Sequence, residues 1–186
     1  MILPVYLYGA SVLQKKTVDI TPDEPNLNSL IVSLKETMAH AEGVGLAASQ
    51  VGVPIRLFVV DGNALAEKFP EGKDFVQTFI NAHIVEEAGK AWRYAEGCLS
   101  IPKINEDVER LSRVRLQYVD ENFVPHDEWF DGIRARIIQH EYDHLEGRNF
   151  TEKLAPIRRQ LLKSKLARIS KGIVDCDYHT KVQKNL

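Results

Sequence analysis

Cysteine is scarce in this chain, with only Cys98 and Cys176 among its 186 residues. Two cysteines cannot build the disulfide framework on which small secreted proteins depend. The segment from Met1 to Leu13 lacks the charged region of a secretory signal and carries Pro4. No apolar run approaches the roughly 20 residues that a helix needs to span a bilayer. We therefore expect a cytosolic protein without a membrane partner, in which both cysteines are free thiols or metal ligands.

An excess of charge of one sign is also absent. Lys and Arg total 24 against 26 Asp and Glu, so the net charge is −2 at pH 7. This balance argues against a dedicated DNA-binding protein, which would carry an overall basic field. The sequence contains no internal repeat, Ser/Gly linker or low-complexity tract, and 44% of it is hydrophobic. We predict a single domain over residues 1–186, in which residues 171–186 form a tail that is either flexible or docked on the body.

Three segments have the hydrophobic spacing of amphipathic helices. The first begins at the acidic residues Asp23 and Glu24, with Pro25 near its first helical position, and ends before Gly43. The second is predicted over residues 131–145 and the third over residues 156–170. The apolar positions of the third are Ile157, Leu161, Leu162, Leu166 and Ile169.

Short β-rich stretches occupy residues 54–60, 78–85, 90–99, 114–119 and 123–130. Polar residues 120–122 predict a hairpin turn, and residues 86–89 predict a second one. Strands joined by short turns are antiparallel. We therefore predict an α+β fold of mostly antiparallel sheets packed around a central helix, the second of the three, with a further helix toward the C-terminus.

The strongest local signal lies on the predicted central helix, where residues 140–144 read His-Glu-Tyr-Asp-His. Residues i and i+4 of a helix lie on one face about 6 Å apart, so His140 and His144 can share one metal ion. Both histidines continue the apolar stripe of Ile133 and Ile137 and therefore point inward, where an unpaired imidazole is costly. The alternative is an ordinary pair of histidines beside a solvated Glu141.

A catalytic metal site usually takes three protein ligands. Phe150 stands where a metzincin would carry its third histidine, and Glu152 is the last glutamate of the chain. Cys98, in the segment Glu-Gly-Cys-Leu-Ser, is the upstream candidate, although most free cysteines are buried small hydrophobic residues. Residues 43–50 fit G-x-G-x-x-A only superficially, because they follow a helix and not a strand.

Three motifs occur in order along the chain: G-V-G-L-A-A-S-Q at residues 43–50, E-G-C-L-S at 96–100 and Q-H-E-Y-D-H-L-E-G at 139–147. With them the sequence resembles the peptide deformylases, metalloenzymes that deformylate newly made bacterial and organellar proteins. The resemblance runs from Pro4 to about Lys165. It implies a bacterial cytosolic enzyme whose partners are N-formylmethionyl nascent peptides.

By this resemblance Cys98, His140 and His144 would hold one divalent metal, Fe2+ in the cell, with Zn2+, Ni2+ or Co2+ able to substitute. Glu141 would act as general base toward a metal-bound water and then as proton donor to the leaving amine. The side-chain amide of Gln50 and the backbone N–H of Leu99 would stabilise the oxyanion.

The resemblance also implies substrate contacts around these residues. Gly43, Val44 and Gly45 would bond the peptide backbone like an added strand. The methionine pocket would be lined by Tyr94, Ile133 and Ile137, whose alternative role is plain core packing. Glu96 and Gly97, just before Cys98, would also contact the substrate. The predicted substrate-binding residues are Gly43, Val44, Gly45, Tyr94, Glu96, Gly97, Ile133 and Ile137.

Two charged residues, Arg136 and Lys103, lie close in sequence to the predicted site residues. Arg136 lies one turn before His140, and we expect it to turn outward to an acidic partner. Lys103 begins a Lys-Ile-Asn segment where some peptide deformylases carry an Arg, which puts peptide contacts there in doubt.

Other interpretations remain open from the residues alone. Cys98 could be a nucleophile activated by histidine, or Cys98, Cys176, His140 and His144 could form a closed structural zinc site. A degenerate, non-catalytic member of the family is a further possibility, although none of the motif residues is missing.

The C-terminal helix is basic, and its exposed face is either simply solvated or touches ribosomal RNA through Arg158, Arg159, Lys163 and Lys165. We expect a monomer.

Overall fold

The computed structural model describes residues 1–183. Within them lie three α-helices: α1 (Leu27–His40), α2 (Gly132–Leu145) and α3 (Pro156–Ile169). The strands are β1 (Val5–Tyr6), β2 (Gly45–Ala47), β3 (Leu57–Asp61), β4 (Val76–Cys98), β5 (Ile101–Val119), β6 (Pro125–Asp131) and β7 (Thr180–Lys181). None of these helices has the length and apolar content to cross a membrane.

Five strands form one sheet in the order β2-β3-β4-β5-β6, and each neighbouring pair is antiparallel. The predicted turn at residues 120–122 is confirmed, because it joins β5 to β6 with Val119 opposite Pro125. The strands β1 and β7 pair separately and in parallel. The α+β class predicted from the sequence is therefore correct.

The hairpin predicted at residues 86–89 is wrong. The chain continues through them as β4, and β5 pairs with both halves, with Glu87 opposite Val114 and Ala91 opposite Leu111. The register is irregular between Ala88 and Ala91, and Gly89 has φ +82°. A glycine in this left-handed conformation produces a bulge, which bends the strand without reversing it.

Helix α2 lies at the centre of the molecule, in contact with strands β2 to β6. Its apolar residues join a core cluster formed by the inner face of the sheet, which includes Phe58, Phe79 and Leu116. Helix α1 packs on a second cluster through Ile31 and Leu34. The histidine-bearing helix is thus held from several sides, which fixes the direction of its side chains.

Helix α3 covers a third core cluster with a narrow stripe of Leu162, Leu166 and Ile169. The prediction that Ile157 and Leu161 belong to the same stripe is wrong, because they are 67% and 62% exposed. Residue 161 lies about 100° around the helix from residue 162, so a helix that touches the body along one ridge leaves it in water.

The chain returns to the body after α3. Strand β7 pairs with β1, and the backbone N–H of Val5 donates to the carbonyl of His179 at 2.8 Å. The last three residues of the predicted tail, 184–186, lie outside the described residues.

Candidate active site

Cys98, His140 and His144 meet at the end of β4, where it faces helix α2. One potential ligand atom from each of the three lies within 4.8 Å of the other two. The Sγ of Cys98 is 3.3 Å from Nε2 of His144, and the two imidazole centroids are 5.3 Å apart. One sulfur and two nitrogen donors that converge in this way match the ligand set of a catalytic transition-metal site.

The three side chains shift one another's protonation. Burial by itself would raise the pKa of the Cys98 thiol, but the adjacent histidines outweigh it and lower that pKa to about 5. Burial opposes charge on the imidazoles as well, yet the thiolate holds the pKa of both His140 and His144 above its usual value. Cys98 is therefore already a thiolate when a divalent cation binds, and binding of the cation would displace protons from the imidazoles of His140 and His144.

Glu141 points into the same space from α2 and is 3% exposed. Burial raises the pKa of its carboxyl to about 7, although the two histidines partly oppose this. Its Oε2 has no hydrogen-bond partner among residues 1–183. Gly45 lies directly against this carboxylate, and a Cβ at that position would collide with Oε1. A buried carboxylate with a free oxygen beside three metal donors indicates that a polar group is missing between them, so the site fits a metal ion.

Gln50 and Leu99 lie around the sulfur ligand. The Oε1 of Gln50 accepts from the backbone N–H of Ala47 at 2.8 Å, which turns its NH2 group toward the Sγ of Cys98 at 3.5 Å and the hydroxyl of Ser100 at 3.1 Å. Leu99 and Ser100 form the turn between β4 and β5, since Cys98 pairs with Ile101. Both predicted oxyanion donors therefore border the candidate metal site.

Glu96 orients the His140 ring through a hydrogen bond to its Nδ1. Its Oε2 accepts from Nδ1 of His140 at 2.9 Å, and Arg110 donates to both of its carboxylate oxygens at 2.7 and 2.9 Å. Hydrogen bonds from Arg110 and His140 outweigh burial and keep the pKa of Glu96 far below its usual value. Its contacts favour support of His140 over the substrate binding that we predicted.

The outward orientation predicted for Arg136 is wrong, because the side chain is 2% exposed. Its Nη1 donates to Oε1 of Glu96 at 2.8 Å and to the carbonyl of Val108 at 2.9 Å, while Nη2 donates to the carbonyl of Trp92 at 2.7 Å. An acidic partner was expected, and it is Glu96. The guanidinium turns inward since the interior offers it three acceptors and the face of the Trp92 ring at 4.4 Å.

A cleft of about 550 Å³ opens beside these residues. A volume of this size suits a small ligand or the end of a peptide. Its lining includes every predicted site residue except His144, which is buried with its Nε2 3.3 Å from the Cys98 sulfur. The predicted residues that line it are Gly43, Val44, Gly45, Gln50, Tyr94, Glu96, Gly97, Cys98, Leu99, Ile133, Ile137, His140 and Glu141.

Several residues of the site were not found from the sequence. Leu65 lies in a short 3-10 turn and lines the cleft without any local signal. Arg110 did carry a signal, because it occupies an inward position of β5 in alternation with Val108 and Glu106. A charged residue on the buried face of a strand requires a partner, and Arg110 finds Glu96 and Asp143.

Cys176 lines the cleft but does not join the group of donor atoms formed by Cys98 and the two histidines. The closed structural zinc site with two cysteines is therefore not the arrangement that residues 1–183 form. Cys98 and His140 line the cleft, so a metal held by the three donors could be reached by a substrate, as a catalytic site requires.

A family model described as polypeptide deformylase matches residues 2–160. The chain belongs to the peptide deformylase family. Two relatives named peptide deformylase, from Christiangramia forsetii and Flavobacterium johnsoniae, are each 48% identical to it. The alignments cover 96% of this chain and 94% of the first relative, and 97% and 96% for the second. The crystal structure of a peptide deformylase from Legionella pneumophila superimposes with a TM-score of 0.79 at 32% identity, covering 92% of this chain and 96% of that one.

Peptide deformylases are metal-dependent hydrolases that remove the formyl group from the N-terminal methionine of nascent proteins. The family and the activity predicted from the three motifs are confirmed by these matches. Because peptide deformylases are metal-dependent, the family match argues against the interpretation of Cys98 as an attacking nucleophile.

Proposed function

We propose that this peptide deformylase carries out its reaction with Glu141 as the proton-transferring residue and with Cys98, His140 and His144 as the metal ligands. The observation that supports this most directly is the convergence of the three donor atoms within 4.8 Å beside a buried Glu141 oxygen that has no partner in the described chain.

We propose Fe2+ as the metal in the cell, with Zn2+, Ni2+ or Co2+ able to replace it. A thiolate neutralises one of the two charges of the ion and makes the site softer than one built from nitrogen and oxygen alone. The bound metal supplies a Lewis acid that lowers the pKa of water and polarises the formyl oxygen.

Glu141 accepts the proton of the attacking water and delivers it to the amine nitrogen as the bond between the formyl carbon and that nitrogen breaks. The products are formate and a peptide with a free amino terminus. Burial raises the pKa of the Glu141 carboxyl in the chain without metal, and a carboxyl with a raised pKa accepts and releases a proton closer to neutral pH.

Gln50 and Leu99 stabilise the negative charge that develops on the formyl oxygen when water adds to the carbon. The amide oxygen of Gln50 is engaged by Ala47, so the orientation of its NH2 group is set before substrate binds. Glu96 orients His140 through Nδ1, which leaves Nε2 of that ring as the ligand atom.

The substrate is a peptide that begins with formylmethionine. Tyr94, Ile133 and Ile137 supply an apolar wall for the methionine side chain beside the metal ligands. Gly43, Val44 and Gly45 line one side of the cleft where β2, an edge strand of the sheet, begins, and Gly97 is exposed near Cys98. Peptide chains bind to such an edge by strand addition.

We further propose that the chain acts as a monomeric single domain in the bacterial cytosol, and that α3 contacts the ribosome. Arg159, Lys163 and Lys165 are exposed on this helix, whereas Arg158 is engaged by Glu106 at 2.7 Å. Binding that does not weaken as salt is raised would contradict a contact with ribosomal RNA.

The test of the catalytic assignment is formate release from a formyl-Met peptide by protein purified without oxygen, with metal content measured alongside. We expect one iron per chain, and we expect Glu141→Gln to keep the metal while losing at least about 100-fold in kcat. Glu87→Gln is the matched control, because Glu87 is exposed on β4 far along the strand from Cys98. Bound metal without formate release by the unaltered chain would contradict the proposal.

A further inference from the structure

The segment of residues 173–183, which we call the strap, follows α3 and runs back across the rim of the cleft. It begins after Gly172, whose φ of +77° allows the chain to reverse. The strap lies outside the segment that the family model matches, which ends at residue 160.

The strap is attached to the body on both sides of the cleft residues. On one side, Asp175 forms an ion pair with Lys103. On the other, β7 pairs with β1, and Oε1 of Gln183 accepts from the backbone N–H and the hydroxyl of Ser11 at 2.8 and 2.9 Å. Val174 and Val182 pack against the third core cluster. The strap is therefore a docked element with a defined path.

Between these attachments, Cys176, Asp177 and Tyr178 line the cleft. Tyr178 is half-buried, and its hydroxyl donates a hydrogen bond of 2.7 Å to the carbonyl oxygen of Leu99. A carbonyl only accepts, so the direction of this bond is unambiguous.

The hydrogen bond from Tyr178 joins the strap to the turn between β4 and β5, which directly follows Cys98. Leu99 and Ser100 are the only residues between Cys98 and its strand partner Ile101. In so short a connection, the orientation of one peptide group constrains the next, because each residue has only two soft dihedral angles. The turn also carries the Ser100 hydroxyl that accepts from Gln50.

We infer that Tyr178 is a positioning residue, which holds the Leu99–Ser100 turn so that the Leu99 N–H and the Cys98 sulfur keep their working directions. The inference rests on the proposed function for the importance of these two groups. The strap then contributes to the reaction, because it forms one wall of the cleft and holds the Leu99–Ser100 turn in place.

The test compares Tyr178→Phe with Tyr6→Phe in the full-length, metal-loaded protein. Both variants lose one hydroxyl from the strap and its docking surface. Tyr6 is part of β1 and does not line the cleft. Its ring lies against Gly52 and beside the Lys181 ammonium. We expect Tyr178→Phe to lower kcat for a formyl-Met peptide about three- to tenfold, the loss typical of one net hydrogen bond. We expect KM to change less than about twofold, because Leu99 N–H acts most strongly on the developing oxyanion.

Amide hydrogen exchange of the peptide that contains residues 96–101 provides a readout independent of activity. We expect exchange there to become several-fold faster in Tyr178→Phe and to stay unchanged in Tyr6→Phe. A merely structural role of Tyr178 would lower the melting temperature without this local change.

The outcomes separate the inference from the proposed function. No formate release by the unaltered protein overturns the proposed function, and with it the catalytic part of the inference. Normal activity with equal kcat in the two variants overturns the inference alone. An increase in KM at unchanged kcat also overturns it, because Tyr178 would then be only a substrate contact.

Discussion

The carboxylate of Glu96 accepts a hydrogen bond from Nδ1 of His140 at 2.9 Å, while Arg110 and Arg136 bind the same carboxylate. One buried anion therefore fixes a histidine ring and pairs with two buried guanidinium groups, while Asp143 supplies Arg110 with a second negative charge. Metal-binding histidines are commonly oriented by such a carboxylate on the nitrogen that faces away from the metal.

Replacing Glu96 tests both roles of this anion. We expect Glu96→Gln to reduce metal affinity about 10- to 100-fold, because the ring loses its charged partner. We also expect it to lower the free energy of unfolding by about 3–5 kcal/mol, because Arg136 then stays buried without its counter-charge while Arg110 keeps only Asp143. Metal titration and chemical denaturation measure the two effects. Glu109→Gln is the matched control, since Glu109 pairs with Arg93 on the surface and should cost less than about 1 kcal/mol. Equal losses in both variants would contradict the prediction.

Gly45 provides a steric test of the Glu141 position. A Cβ on residue 45 would overlap the Glu141 carboxylate, so we expect Gly45→Ala to displace that group and lower kcat at least about tenfold. In Gly43→Ala the new Cβ would meet only the flexible end of Leu99, at 2.9 Å from Cδ1, and we expect a smaller loss. Steady-state formate release compares the two. An unchanged kcat in Gly45→Ala would mean that Glu141 moves aside freely.

The two cysteines should behave differently toward metal. We expect Cys98→Ser to lose most of the bound metal, because it removes the sulfur donor that lies 3.3 Å from His144. We expect Cys176→Ser to retain one metal per chain, since this residue is outside the donor group. Elemental analysis after desalting distinguishes them. Metal loss from Cys176→Ser would restore the closed structural site as an explanation.

The ion pair between Lys35 and Glu121 predicts a pH dependence of stability. Hydrogen bonds from Lys35 and Thr78 lower the pKa of Glu121 below its usual 4.5, against a smaller opposing effect of burial. A lowered pKa in the folded state means that the charged form stabilises the fold above pH 4.5 and that this contribution is lost as the pH falls through the folded-state value.

We therefore expect Glu121→Gln to lower the melting temperature slightly at pH 7, by an amount that corresponds to less than about 1 kcal/mol because the pair is half-exposed. The difference from the unaltered protein should shrink as the pH falls below 4.5 and vanish below the folded-state pKa of Glu121. Melting curves between pH 3 and 7 provide the test, with Glu87→Gln as control. A difference that grows as the pH falls would have the wrong sign.

Much of the site was predictable because its signals lie within single elements. The spacing of His140 and His144 follows from the 3.6-residue turn of α2, and the stripe of Ile133 and Ile137 gives the direction in which they point. The bounds of α2 and α3 agree with the predicted segments to within one residue. The three motifs then identified the family, and with it the activity.

Only the tertiary structure decided how these elements meet. The sequence shows Glu96, Arg110 and Arg136 as three separate charges, and their grouping depends on the register of β4 against β5 and on the position of α2. Residues 86–89 resemble a turn locally, yet pairing with β5 on both sides keeps them in one strand. The bond from Tyr178 to Leu99 joins residues 79 positions apart, and no local pattern specifies it. Periodicity records what one element buries, whereas partners across the fold are chosen by register and packing, which involve the whole chain at once.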